Sequence, residues 1–67
     1  MKLKELLRVM RSGDLFVFDN MTGTVIAKRL GGEWHFTDKR ETLETIGDRD
    51  IAMMTAPYKD TNSVFIF

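Results

Sequence analysis

The sequence predicts an α+β fold, with an N-terminal helix packed on a mainly antiparallel five-stranded sheet or small open barrel. Three observations carry this. Apolar residues recur at helical spacing over the first dozen positions, short runs of β-branched and aromatic residues follow, and Gly, Asn and Asp cluster between those runs. A chain of 67 residues, 43% hydrophobic and 30% charged, has room for one core, so residues 1–67 are read as a single domain.

In the opening segment Leu3, Leu6, Leu7 and Met10 fall on one helical face. Gly13 is expected to end that helix in a left-handed C-cap, with Arg8 and Arg11 in its last turn, where the helix dipole favours cations. The run Leu15-Phe16-Val17-Phe18 reads as a strand covered on both sides, Leu15 and Val17 facing one way and the two Phe the other. A turn at 20–23, with Gly23 at positive φ, leads into a second strand over 24–30. Gly31-Gly32 is a two-residue hairpin loop, and 33–37 forms the third strand.

That loop predicts a register: Leu30 opposite Glu33, Arg29 opposite Trp34, Lys28 opposite His35, Ala27 opposite Phe36. Trp34 and Phe36 then share a face with Val25 and Ala27, while His35 and Thr37 share the other with Lys28 and Ile26. Arg29 is placed to stack on the Trp34 ring.

Asp38 followed by Glu41 resembles a capping box; with Leu43 and Ile46 at helical spacing and Gly47 as a stop, it predicts a short helix near 39–46. A short strand over 42–46 is the alternative. Next, Ile51, Met53 and Thr55 alternate with Ala52, Met54 and Ala56, and Pro57 limits ladder pairing. Residues 58–62 turn the chain and 63–67 close it as a last strand.

Residues 15–18, 51–54 and 64–67 are apolar on both faces, more than one helix can cover. Three arrangements relieve the surplus: the sheet curls into a barrel, the 39–46 segment packs on the second face, or a partner covers it. The third yields a candidate protein interface of Met54, Val64, Phe65, Ile66 and Phe67, with the terminal strand available at a sheet edge. Homodimerisation is the simplest use of either feature.

Ten basic and ten acidic residues leave no net charge, so nothing global steers the chain toward nucleic acid or an anionic membrane. There is no Cys, which excludes disulfides and thiolate zinc sites. Charged residues interrupt the N-terminal apolar positions, so no signal peptide or membrane span is expected and the protein reads as cytoplasmic.

Catalysis would rest on His35, the sole His, with Ser12, Ser63 or a Thr as nucleophile. No catalytic or phosphate-binding motif surrounds them, so no enzyme activity and no cofactor are expected. Asp38, Glu41, Glu44, Asp48 and Asp50 match no cation-binding spacing and read as a solvated acidic edge, so no metal is expected. A nucleic-acid-binding alternative would use Lys4, Arg8 and Arg11 on the helix with Lys28, Arg29 and Trp34 on the hairpin.

In pattern, the N-terminal MKLKELL helix, the Gly-Asp entry to a strand, the hairpin meander and the apolar final strand resemble the short orphan accessory proteins of bacteriophages and prophages. The resemblance implies a non-catalytic role, binding and inhibiting or redirecting a host protein.

Overall fold

The computed structural model describes residues 1–58 and 61–67. Helix α1 spans Leu3–Val9, strands β1, β2 and β3 span Asp14–Asp19, Val25–Leu30 and Glu33–Phe36, helix α2 spans Leu43–Gly47, and strands β4 and β5 span Ile51–Tyr58 and Thr61–Ile66. The sheet order is β3-β2-β1-β5-β4. Each neighbouring pair is antiparallel except β1 with β5, which run parallel. The α+β expectation holds, and the sheet is open rather than closed into a barrel.

Helix α1 begins where Glu5 Oε1 accepts the Lys2 backbone N–H at 2.9 Å, satisfying a free donor of the first turn. It ends earlier than its periodicity predicts, with Met10 as C-cap. Gly13 does adopt positive φ, but three residues farther on, in the turn that enters β1. The expected C-cap at Gly13 is therefore corrected. Arg11 lies beyond the helix, its Nε donating to the Arg8 carbonyl.

Gly31 and Gly32 take φ of 58° and 82°, the paired left-handed conformation of a type I′ hairpin turn. The turn enforces the predicted β2–β3 register at all four pairs. Between β1 and β2 the register slips, with Val17 opposite Ala27 but Phe18 opposite Val25. Ile26 is thus the extra residue of a β-bulge. The slip corrects the predicted faces: Val25 joins Phe16, Phe18 and Lys28, and Ile26 packs against the core instead. A second slip between Ile51 and Met53 makes Ala52 the extra residue of β4. Ile51 and Met54 then share one face, Met53 and Thr55 the other, so the simple alternation expected there is corrected as well.

Strand β5 is an interior strand, which corrects its expected place at an edge. The edges are β3 and β4. Part of the β4 edge is covered, because Lys2 bridges Asp50 and the Ile51 N–H donates to the Met1 carbonyl at 2.8 Å. The register also slips between Thr55 and Tyr58, around Pro57. Tyr58 belongs to β4 and Thr61 and Asn62 to β5, which corrects the turn expected over 58–62 and the strand start expected at 63; residues 59–60 lie outside the described ones.

Helix α2 resolves the helix-or-strand alternative, starting four residues later than the expected 39 and ending one residue later than 46. Its cap is Thr42, whose Oγ1 accepts from Thr45 N at 3.3 Å while Thr45 Oγ1 accepts from Thr42 N at 2.8 Å. The expected Asp38–Glu41 box does not form. Asp38 instead pairs with Arg40 at 3.0 Å. Gly47 lies inside the helix, where an added Cβ would come within 3.3 Å of Lys4 Cβ, so α1 and α2 approach closely at this point.

The core consists of Leu3 and Leu6 from α1, Ile46 from α2, and Leu15, Val17, Ala27, Val64 and Ile66 from the three central strands. Both helices therefore lie on the same side of the sheet.

Exposed carboxylates tie the periphery. Backbone N–H groups of Met21 and Thr22, with Arg49 at 3.6 Å, hold Asp19 below its ordinary value of 3.8. Lys4 does the same for Asp48, and the Lys2 N–H lowers Glu5 from 4.5. Because these values are lowered by folding, the unfolded chain takes up protons first as the pH falls. Their contribution is complete above the ordinary carboxylate values and is lost as the pH drops through the lowered ones. Urea midpoints measured from about pH 6 to pH 2 should fall on the acid side, and Asp19→Asn should flatten that limb. An unchanged limb in Asp19→Asn would assign the acid loss to other groups.

Candidate protein-binding face

The face opposite the helices carries Phe16 and Phe18 from β1, Val25 and Lys28 from β2, Ser63 and Phe65 from β5 and Met53 and Thr55 from β4. The parallel β1–β5 ladder sets Phe18 beside Phe65, with ring centroids 4.8 Å apart and planes 18° from parallel. Phe16 follows at 6.5 Å from Phe18. Offset stacking of this kind adds about 0.5 to 1.5 kcal/mol beyond area burial. The rings are half-buried by one another, and Met53 is 49% exposed at the β4 side. Neither helix covers this surface.

Its β2–β3 side is polar. Lys28 lies opposite His35, both exposed, and with Phe16, Val25, Phe36 and Thr37 they border a depression of about 360 Å³. Asp14 and Glu33 lie on the same face by strand alternation, and Asp14 Oδ1 accepts the Gly31 N–H at 3.3 Å. An apolar centre bounded by mixed charge is the usual anatomy of a protein contact surface.

The predicted interface residues divide between the two faces. Phe65 lies on the open one. Phe67 ends the chain at 60% exposure, its carbonyl accepting from Arg49 Nε. Val64 and Ile66 are fully buried under the helices and offer nothing to a partner, because β5 is interior and its alternate residues fill the core. Met54 pairs with Val64 on the helix side yet remains 48% exposed at the sheet edge. Reading the terminal strand alone missed Phe16, Phe18, Val25 and Met53. The two-sided apolar pattern of 15–18 was the signal for the first two; the bulges hid the others.

The six residues of the nucleic-acid alternative do not converge. Lys4 Nζ bonds Asp48 at 2.8 Å. Arg8 remains exposed in the last turn of α1 and Arg11 beyond the helix, and Lys28 lies on the opposite side of the sheet. Arg29 is 6% exposed, its guanidinium donating to the carbonyls of Met10 at 2.8 Å, Gly13 at 3.0 Å and Ser12 at 3.1 Å. It also lies 5.8 Å from the centre of the Trp34 ring. Arg29 thus closes the loop after α1, and Trp34, stacked on Phe36 at 6.2 Å, packs against the core.

Compared with known proteins, the chain matches no family model, no curated protein and no solved structure. Among the described residues, no helix is long and apolar enough to cross a membrane, and no three His, Cys, Asp or Glu side chains are grouped to hold a metal ion.

Proposed function

We propose that this chain is a non-catalytic protein-binding module whose contact surface is the open sheet face. The observation that carries the reading is that Phe16, Phe18, Phe65 and Met53 share a face that neither helix covers. Of the three arrangements that could relieve the apolar surplus, the open sheet argues against closure, and α2 lies with α1 on the other side. A partner remains. The resemblance to phage and prophage accessory proteins supports a cytoplasmic role exerted through protein contact.

A photo-cross-linking residue at position 53 tests this in bacterial cells. It should give a covalent adduct with a protein, whereas the same residue at Met21, 87% exposed in the β1–β2 turn, should not. Equal labelling from both positions, or none from position 53, counts against the open face as the contact surface.

A further inference from the structure

We infer that the occupant of the open face is a second copy of this chain, the two sheets packing face to face about a twofold axis. The inference rests on the reading of that face as a protein contact surface and names its partner.

Size is the first argument. Five strands about 4.8 Å apart and roughly 20 Å long present a surface of about 450 Å² in plan, more once side-chain relief is included. A specific interface needs about 1,000 Å² in total, hence about 500 Å² from each partner. The whole face, its polar β2–β3 margin included, reaches that value against its own copy. A lone helix, about 10 Å across, would cover two strands and leave the remainder of the Phe16–Phe18–Phe65–Met53 surface wet. A sheet of equal width is the complement that covers it all, at the ordinary spacing of about 10 Å between packed sheets.

Charge is the second argument. The centre of the face carries no ionisable group, and its rim mixes Lys28 and His35 with Asp14 and Glu33. This suits neither a polyanion nor a strongly basic partner. The whole chain is formally neutral at pH 7, so two copies approach without net repulsion. In an isologous contact each copy sets its apolar centre on that of the other and leaves its charged rim at the margin.

Neighbouring residues of β4 supply the test. Met53 and Met54 are almost equally exposed but face opposite sides of the sheet. Sedimentation equilibrium over a hundredfold concentration range should give twice the 7.8 kDa chain mass for the wild type. Met53→Glu should weaken association at least tenfold with the circular dichroism spectrum unchanged, and Met54→Glu should leave it intact. A dimer that survives Met53→Glu, or one that Met54→Glu disrupts equally, overturns the face-to-face arrangement.

A wild-type monomer at every concentration also overturns it. If that monomer binds a hydrophobic dye that Met53→Glu abolishes, and cross-links to another protein from position 53, the occupant is a different protein and the protein-binding reading stands. A monomer that does neither removes both.

Discussion

Ile46→Ala should cost about 2 to 5 kcal/mol of stability and release α2 from the sheet. Ile46 is fully buried, and the only other buried residue of α2 is Gly47, which has no side chain to anchor the helix. At roughly 0.05 to 0.15 kcal/mol per residue, a 67-residue domain has about 3 to 10 kcal/mol in total, so the loss consumes much of it. Urea unfolding should show the midpoint falling steeply. Ile46→Val should lose only about 0.5 to 1.5 kcal/mol, since one methyl group leaves a smaller cavity. Leu43, on the same helix but 40% exposed, should tolerate Ala far better. A loss below about 1 kcal/mol in Ile46→Ala, with α2 amides still protected from exchange, would mean that the helix is held by something other than this side chain.

Arg29→Met should be the second large effect, about 2 to 3 kcal/mol. Hydrogen bonds to charged groups are worth more than neutral ones, and this guanidinium satisfies three carbonyls of the 10–13 loop together. It lies just past the C-terminal end of α1, where the helix dipole is negative, so its charge is compensated without a carboxylate. Arg29→Lys should recover only part of the loss, because a single ammonium cannot span three acceptors held in this geometry. Denaturation of both variants checks the order wild type, Lys, Met. The same variants weigh the nucleic-acid alternative: a folded Arg29→Met of unchanged stability that loses retention on a single-stranded DNA column would reinstate Arg29 as a contact residue.

Arg29 also shows where reading the sequence reached and where it stopped. Its place opposite Trp34 was legible, because the Gly31-Gly32 turn allows one register and the pairing follows from counting. Its burial was not. The carbonyls it serves belong to residues 16 to 19 positions earlier, and no local pattern announces a backbone acceptor that distant. The open face divides in the same way. Alternation placed Phe16 and Phe18 together because β1 is regular on that stretch, whereas Val25 and Met53 required knowing that Ile26 and Ala52 are extra residues in their ladders. A bulge leaves no mark in composition, and every residue beyond it changes sides.

By itself the sequence determined the local elements: an amphipathic first helix, a hairpin whose register its two glycines impose, and strands too apolar for one helix to cover. These are short-range properties, set by side-chain periodicity and by the φ angles that glycine allows. Only the tertiary structure decided that β5 lies between β1 and β4, that Val64 and Ile66 belong to the core, and that both helices take the same side. The physical reason is that a strand with two apolar faces has no preferred side of its own; the side is chosen by which neighbours pair with it and which surface the helices bury first.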